Sequence, residues 1–455
     1  MPATRWISLV RPLAFAALFT VNVAAAPAPP ASPNVILILA DDMGLGDLSC
    51  FNGGLSRTPN LDRLIGDGVW FNQGYSASAV CAPARAALLT GRYPHRTGVV
   101  SLTMTTEPEL TRLRRDEITL ADLFLARGYA TGLVGKWHLG MGAEWHPRQR
   151  GFQEFTGFIG GENIASYFGY DLDVQGKNTR FESRYLTDEL SARAIDFVRR
   201  HRAAPFFLHL AHYAPHRPLG APAETIQRYL DHGISRDAAT VYAMIEIMDR
   251  GIGELLAALR ELGLRERTIV IFASDNGPDP LAGPRFNQQR RGTKYEIFEG
   301  GIRVPLLVSW PRTLRPRSTD VVAHFTDIVP TLIELCRLER PSGPPLDGAS
   351  LAGLLQERDA GPRRPRFWQW NRGAPNYTHN AAMREGEWKL VRPYVTRNAV
   401  AGDSALLPAL YNLQLDPLET TDVAGQHPER LARMNTALAD WASGVERDRL
   451  RPNPR

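Results

Sequence analysis

Four short, mostly apolar runs mark the buried strands that the sequence predicts. They lie at residues 35–40 (VILILA), 130–135 (ATGLVG), 205–212 (PFFLHLAH) and 268–274 (TIVIFAS). Strands with one exposed face alternate apolar and polar residues, whereas near-continuous apolar runs are typical of parallel strands that are covered on both faces. The four runs therefore predict the centre of a mainly parallel sheet.

Amphipathic segments with helical spacing separate these runs. The pattern predicts helices at residues 120–127, 185–200 and 238–262, and Thr119 suits the N-terminus of the first. Strands that alternate with helices are typical of a doubly wound α/β fold. We therefore expect a large sheet with helices on both of its faces.

The character of the chain changes after about residue 341, where proline, glycine and arginine become frequent. Three short strand patterns follow, and a helical pattern covers residues 429–445. The strand patterns are at residues 367–370, 387–392 and 410–413. This predicts a smaller C-terminal α+β subdomain with an antiparallel sheet and one packed helix. We expect the α/β domain at residues 34–345 and the subdomain at residues 346–455.

The N-terminal segment has the composition of a secretory signal peptide. Arg5 and Arg11 precede an apolar stretch that is too short to span a bilayer comfortably, and three alanines follow at positions 24–26. We expect residues 1–26 to be a signal peptide and residues 27–33 a linker, with the mature protein secreted or periplasmic. An uncleaved membrane anchor is the alternative, and no second apolar segment is long enough to span.

Charge and cysteine content narrow the classes of function. The net charge is only +5, and the arginines are spread along the chain, which argues against nucleic-acid binding. Three cysteines are too few for a disulfide-stapled scaffold. Cys50 and Cys336 have apolar neighbours and are expected to be buried thiols, with a bridge between them left open. Cys81 has different surroundings.

Oxygen-bearing side chains follow two of the predicted strands. Asp41 and Asp42 come directly after the first run, and Asp275 and Asn276 come directly after the fourth. Ligands of parallel α/β sheets bind beyond the carboxyl ends of the strands. Carboxylate and amide oxygens are the ligands that Ca²⁺ and Mg²⁺ prefer. Either pair alone could be ordinary turn chemistry, but the two together at one sheet edge favour a metal site.

Cys81 is predicted to lie at the N-terminus of a short helix. It opens the run CAPARAALLTGR (residues 81–92), in which Pro83 suits the first turn and Gly91 the end of the helix. The N-terminus of a helix favours an anion because its N–H groups are free and its dipole is positive there. Arg85, one turn later, can point back to this end. A lone cysteine is usually a small buried hydrophobe, but these neighbours argue against that interpretation here.

The motif Cys-Ala-Pro-Ala-Arg at 81–85, with the Ala-Ala-Leu-Leu-Thr-Gly-Arg that follows, resembles the signature of the type I sulfatases, an arylsulfatase-like branch of the alkaline phosphatase superfamily. In that family a maturation enzyme oxidises the cysteine to formylglycine. Further blocks resemble the family in the same order along the chain. They are residues 34–47, 135–140, 213–218, 274–277, 292–305 and 410–417.

The resemblance implies a calcium-dependent sulfatase. Asp41, Asp42, Asp275 and Asn276 would hold Ca²⁺, or Mg²⁺ in its place, together with an oxygen of the oxidised Cys81. Formylglycine in water becomes a gem-diol, and one hydroxyl would attack the sulfur of the substrate while the alcohol leaves. The second hydroxyl then allows sulfate to be expelled. A serine lacks this second hydroxyl and would stall as a stable ester.

Five further residues match the family's blocks. By resemblance, Arg85 would orient the formylglycine hydroxyls, and Lys136 and Lys294 would bind sulfate oxygens. His138 would assist removal of a proton during release of sulfate, and His216 would protonate the leaving oxygen or donate a hydrogen bond to it. Taken singly, lysines are usually solvated and histidines usually structural, so these roles rest on their positions within the blocks.

Two other functions compete with a sulfatase that acts on a sulfated carbohydrate. One is a phosphonate monoester or phosphodiester hydrolase of the same superfamily, and the other is a non-catalytic protein that binds sulfated glycans. The second would be expected to lose a catalytic residue, and none is lost.

The sequence does not identify the substrate, whose contacts we expect in three loops. The loops are residues 141–150 with Trp145 and His146, residues 160–170 with Glu162, Asn163, Tyr167 and Tyr170, and residues 278–290 with Arg285, Asn287 and Gln288.

Overall fold

The computed structural model describes residues 32–160, 164–283, 285, 287–393 and 406–453. The expected signal peptide and most of the linker lie outside the described residues. Within this part of the chain, none of the helices combines the length and the apolar composition that crossing a membrane requires.

The strands and helices of the described residues alternate through most of the chain. The strands are β1 (Asn34–Ala40), β2 (Val69–Tyr75), β3 (Ala130–Lys136), β4 (Glu154–Phe158), β5 (Tyr170–Val174), β6 (Lys177–Phe181), β7 (Phe206–Ala211), β8 (Thr268–Ser274), β9 (Leu306–Ser309), β10 (Arg317–His324), β11 (Arg366–Gln369), β12 (Ala381–Glu385), β13 (Trp388–Arg392) and β14 (Ala409–Asn412). The helices are α1 (Pro59–Gly66), α2 (Cys81–Thr90), α3 (Pro94–Thr97), α4 (Leu120–Ala126), α5 (Leu186–Arg200), α6 (Ala223–Leu230), α7 (Arg236–Glu261), α8 (Glu299–Ile302), α9 (Ile328–Cys336), α10 (Ala352–Leu355) and α11 (Pro428–Arg449).

Ten strands form one mixed sheet in the order β10-β2-β9-β8-β1-β7-β3-β4-β5-β6. Its central strands β8, β1, β7, β3 and β4 are parallel, whereas β9, β5 and β6 run antiparallel to their neighbours. A parallel return needs a crossover to the opposite edge of the sheet. The chain between β8 and β9 makes no such crossover, so this long connection stays at the carboxyl edge, where it can build a site.

Successive residues of β1 are buried in opposite layers. Val35 and Leu37 belong to the apolar core that includes helix α2, whereas Ile36 and Ile38 belong to the core that includes α5 and α7. Burial on both faces explains why the strand is apolar at every position. The doubly wound α/β fold predicted from the sequence is therefore confirmed.

The remaining four strands form an antiparallel sheet in the order β11-β12-β13-β14. Helix α11 covers one of its faces, where Met434 and Leu438 pack against Met383 and Leu390. The smaller antiparallel sheet and its helix are confirmed, but β12 was not predicted, because its sequence (AAMRE) has neither alternation nor β-branched residues.

One of the predictions about the cysteines is wrong. Cys50 is exposed, and Cys336 is buried. Both are free thiols, so no bridge joins them. Cys50 lies in a turn at the surface, so its apolar neighbours in the sequence do not bury it.

A buried ion cluster joins the two sheets. The Nζ atom of Lys389, on β13, lies 3.0 Å from Oε1 of Glu299 and 2.8 Å from Oε1 of Glu419. Glu299 begins α8, and its carboxylate also accepts a hydrogen bond of 2.6 Å from Tyr75 at the end of β2. All three charged side chains are fully buried. Lys389 therefore holds two carboxylates at the boundary between the sheets.

Replacing Lys389 with methionine should remove the cation that two buried carboxylates share, and Glu299 would keep only the more distant Arg303, 3.5 Å away. Breaking a buried ion pair by removing one partner costs about 3–5 kcal/mol, so we expect Lys389→Met to lower the free energy of unfolding by roughly that amount in urea titration. Lys177 is exposed on β6 and provides the matched control, since Lys177→Met should change stability by less than about 0.5 kcal/mol. Equal losses in the two variants would contradict this role for Lys389.

Candidate active site

The carboxyl ends of β1 and β8 bring the predicted oxygen ligands together. Ala40 pairs with Ser274, the last residue of β8, so Asp41 and Asp42 leave the sheet beside Asp275 and Asn276. The backbone N–H of Asp42 donates to Oδ1 of Asp275 over 3.2 Å. The amide nitrogen of Asn276 donates to Oδ1 of Asp42 over 2.6 Å. All four side chains are buried.

The backbone of both segments is shaped for this close approach. Asp42 has a φ of +66°, a left-handed conformation that aspartate tolerates better than most residues. Gly277 donates its N–H to the carbonyl of Gly301 over 2.9 Å. A Cβ atom at Gly277 would lie 2.0 Å from the carbonyl oxygen of Gly300. Glycine after Asp275-Asn276 is therefore required by the packing of α8 directly against this turn.

Cys81 is the first residue of helix α2, as predicted. Gly91 ends the helix in a left-handed conformation, and its N–H donates to the carbonyl of Ala87. Cys81 is only 2% exposed. Burial raises the pKa of its thiol to about 12. The unmodified side chain is therefore a neutral thiol at physiological pH and a poor nucleophile.

Arg85 joins three elements of the site. Its Nε and Nη2 donate to Oδ2 of Asp275 over 2.9 and 2.7 Å. Nη2 also lies 3.3 Å from Oδ2 of Asp41, and Nη1 donates to the carbonyl of Lys136 at the end of β3. The guanidinium is 1% exposed. Arg85 thereby fixes the helix N-terminus against the ends of β1, β3 and β8.

Lys136 and Lys294 supply the other two cations of this group. The Nζ atom of Lys136 lies 2.5 Å from Oδ2 of Asp41, and that of Lys294 lies 2.7 Å from Oδ2 of Asp42. Burial opposes the charged form of Lys294, but the Asp42 carboxylate raises its pKa well above the ordinary value. Lys294 is therefore a cation, and both lysines lie close enough to Cys81 to lower the pKa of its thiol.

His138 and His216, the two histidines that were predicted to move protons, are neutral, and each has a defined tautomer. Nδ1 of His216 lies 2.6 Å from the carbonyl oxygen of Arg217, and Nε2 of His138 lies 3.0 Å from that of Leu102. A carbonyl oxygen only accepts, so these nitrogens carry the hydrogens and the opposite nitrogens hold lone pairs. Burial lowers the pKa of His216 to about 3 and that of His138 well below its ordinary value.

The donor set fits a hard divalent cation. Ligand atoms of Asp41, Asp42, Cys81 and His216 all lie within 4.8 Å of one another. Oδ1 of Asp41 and Oδ1 of Asn276 are buried and accept no hydrogen bond from the described residues. Such oxygens suit Ca²⁺ or Mg²⁺. His216 belongs to this close group and was not expected there.

Asp275 is not part of this close group, and Arg85 donates to its Oδ2 atom. Burial and the neighbouring Asp41 carboxylate raise the pKa of Asp275 to about 7. Extra positive charge near Asp41 would relieve this repulsion, which is the electrostatic condition that a divalent cation meets.

Several side chains in the three expected substrate loops bind their own protein instead. Arg285 donates to both carboxylate oxygens of Asp47 and to the carbonyl of Asp42. Tyr167 is buried, with its hydroxyl within 3.0 Å of the carbonyls of Tyr213 and His216. Through these hydrogen bonds, Arg285 and Tyr167 hold the backbone of Asp42 and His216 in place. Glu162 and Asn163 lie outside the described residues.

Three residues beside Lys294 were not expected from the sequence as part of the site. Asp279 has Oδ2 3.8 Å from Nζ of Lys294 and 3.5 Å from Nε of Arg217. Nη2 of Arg217 donates to the hydroxyl of Tyr295 over 3.1 Å. Arg217 follows His216 and Tyr295 follows Lys294, so proximity to a motif residue was the available signal. Asp279 also lines a cavity of about 280 Å³ with Pro278, Arg290 and Thr293.

Comparison with known proteins places the chain in a family. Residues 33–337 match the Sulfatase family, and residues 293–441 match the family described as "N-sulphoglucosamine sulphohydrolase, C-terminal". The steryl-sulfatase of Mus musculus is 32% identical, over 96% of this chain and 86% of that protein. The N-acetylgalactosamine-6-sulfatase of Homo sapiens is 30% identical, over 90% of this chain and 85% of that protein.

A solved structure gives the same result. Ps i-CgsB in complex with k-i-k-neocarrahexaose superposes with a TM-score of 0.81 and 30% identity, over 93% of this chain and 95% of that chain. The resemblance noted in the sequence therefore extends to the fold and to nearly the whole chain. The protein belongs to the sulfatase family and is a hydrolase of sulfuric ester bonds.

Proposed function

We propose that the protein releases inorganic sulfate from a sulfated carbohydrate, with oxidised Cys81 as its nucleophile and Ca²⁺ bound beside it. The observation that carries the proposal is the group of three buried cations, Arg85, Lys136 and Lys294, around the N-terminus of α2. A sulfate ester is an anion, and this end of the helix offers free N–H groups in addition to the cations. The carbohydrate is favoured by the relatives with sugar names and by the expected secretion.

The proposed chemistry divides between the bound groups and the side chains of the chain. Hydrated formylglycine at position 81 would supply two hydroxyls. One would attack sulfur, and the other would later allow sulfate to be released. Ca²⁺ would polarise the sulfate oxygens and offset the charge of the nucleophile. Asp41, Asp42, Asp275 and Asn276 would hold the cation, with position 81 as a further ligand.

The side chains bind the sulfate and move the protons. Lys136 and Lys294 would bind sulfate oxygens as point charges, and Arg85 would keep position 81 in place through its contacts with Asp275. The lone pair on Nδ1 of His138 is buried and has no partner among the described residues. His138 is therefore suited to take a proton when sulfate is released.

His216 would serve the leaving oxygen of the substrate. Its Nε2 atom holds a lone pair and lies 3.7 Å from Oδ2 of Asp42. Nε2 could take up the proton that the attacking hydroxyl loses. The resulting imidazolium would be stabilised by this carboxylate and could pass that proton to the departing alkoxide. The carbonyl of Arg217 keeps the ring oriented throughout.

The proposal includes the processing of the chain. Residues 1–26 would be removed as a signal peptide, and the mature protein would be secreted or periplasmic. A formylglycine-installing enzyme would be its maturation partner. We retain residues 34–345 as the catalytic domain and 346–455 as the C-terminal subdomain, since the strands of the two sheets lie on either side of this boundary.

Replacing Cys81 with alanine should abolish turnover, because it removes the nucleophile. We expect the rate on 4-nitrophenyl sulfate to fall by at least about a thousandfold in protein co-produced with a formylglycine-installing enzyme. Cys50→Ala is the matched control and should keep its activity, because Cys50 is an exposed thiol. Turnover that survives Cys81→Ala would refute the proposed nucleophile. Separately, if the wild type hydrolysed a matched phenylphosphonate ester faster than the sulfate ester, the result would favour the phosphonate hydrolase.

Removing the amide of Asn276 should weaken calcium binding. Asn276 is neutral, so Asn276→Ala leaves no buried charge unpaired, and we expect the calcium affinity to fall by at least about tenfold. The measurement is the rise in melting temperature with calcium concentration, which depends on affinity and not on turnover. Asn178→Ala, at an exposed position of β6, is the control. An unchanged calcium response in Asn276→Ala would exclude this residue as a ligand.

A further inference from the structure

Side chains of alternating charge connect the expected metal site to the rim of the active site. Nζ of Lys294 lies 2.7 Å from Oδ2 of Asp42 and 3.8 Å from Oδ2 of Asp279. Oδ2 of Asp279 lies in turn 3.5 Å from Nε of Arg217. The exposed fraction is 1% at Asp42, 2% at Lys294, 6% at Asp279 and 43% at Arg217. Of these four residues, only Arg217 is open to a group outside the buried pocket.

Arg217 is held firmly at this position. Its Nη2 atom donates to the hydroxyl of Tyr295 over 3.1 Å. Tyr295 is 4% exposed, and its backbone N–H donates to the carbonyl of Ala79, two residues before Cys81. The residue before Arg217 in the chain is His216. The guanidinium is therefore tied to the segments that carry both the nucleophile and the proposed proton donor.

The charge of Arg217 is only partly neutralised. Its contact with Asp279 is an ion pair without a hydrogen bond, since Oδ2 of Asp279 accepts none from the described residues. Asp279 also faces Lys294, so one carboxylate is shared between two cations. Nη1 of Arg217 has no acceptor in the described part of the chain. An arginine in this state can still bind an anion through its planar fork of donors.

We propose that Arg217 is a specificity-determining residue that binds a second anionic group of the substrate, a sulfate or a carboxylate next to the sulfate ester that is hydrolysed. This rests on the proposed function and names the substrate class more closely. The scissile sulfate already has the buried Lys136 and Lys294, whereas Arg217 lies further out.

The test compares three aryl sulfates. They are 4-nitrophenyl sulfate, 2-carboxy-4-nitrophenyl sulfate and 4-nitrophenylene-1,2-disulfate, of which the last two carry a second anion next to the ester. For each substrate, kcat/KM of Arg217→Gln is divided by that of the wild type. Because both enzymes meet the same leaving group, this ratio isolates the contribution of Arg217.

We expect the ratio to be about tenfold lower for the two substrates with a second anion than for 4-nitrophenyl sulfate, mainly through KM. One charge-assisted hydrogen bond at a half-exposed site accounts for a factor of this size. Comparison of the carboxylate with the second sulfate tells which group Arg217 prefers. Arg217→Lys keeps the charge without the fork and should give an intermediate ratio.

Arg312→Gln is the matched control, because Arg312 is 75% exposed and pairs with Glu266. It changes the net charge equally and should affect all three substrates alike. Equal loss on the three substrates in Arg217→Gln would overturn the proposal, since Arg217 would then only support His216. A preference in Arg217→Lys equal to that of the wild type would show that charge alone suffices and would overturn the role of the fork.

A binding measurement separates this proposal from the proposed function. The same three esters are titrated calorimetrically into Cys81→Ala and into Cys81→Ala with Arg217→Gln, so that no turnover is needed. We expect Arg217→Gln to weaken binding of the two substrates with a second anion by about tenfold, and binding of 4-nitrophenyl sulfate by less than about threefold. This result would support the role of Arg217. Absence of turnover in mature wild type would count against the proposed function, whereas equal loss of binding for all three esters would count against this inference.

Discussion

Three carboxylates lie buried at one edge of the large sheet, and each of them is stabilised there by a cation. Asp41 faces Lys136, Asp42 faces Lys294, and Asp275 faces Arg85. An isolated buried carboxylate would cost several kcal/mol. The partners therefore have to reach the same edge from distant parts of the chain. Parallel strands make this arrangement available, because β1, β3 and β8 all end there.

The long connection between β8 and β9 follows from the same constraint. It leaves the sheet after Ser274 and returns antiparallel at Leu306, directly beside β8. Between these points it delivers Lys294 to Asp42 and places α8 against Gly277. The C-terminal sheet then secures α8 through Lys389 and its two carboxylates. Two buried groups of charges, one in the site and one behind it, thus fix the connection from both sides.

The central strands were predictable because burial on both faces leaves a local signal in the sequence. Strands β1, β3, β7 and β8 agree with the expected runs to within a residue at each end. Strand β12 was missed, because pairing with its neighbours stabilises it without an alternating pattern. The exposure of Cys50 was also missed, since apolar neighbours do not reveal that a turn faces solvent.

The candidate site was predictable where short motifs carry it, and those motifs were interpreted through the family resemblance. Contacts between distant segments were not predictable. Arg285 was expected near substrate, yet it spans 238 positions to bind Asp47. The ion pair of Arg217 with Asp279 also joins residues that are far apart in the chain. Such pairs depend on how the connections fold over the sheet edge, which no local pattern encodes.

The depth of Cys81 has a consequence for the order of events during biosynthesis. In the folded chain, only 2% of the surface of the cysteine is exposed. An enzyme can modify a side chain only if it can reach it. The oxidation proposed for this residue would therefore have to precede folding, and the time for which the new chain stays unfolded would set the fraction of molecules in which it occurs.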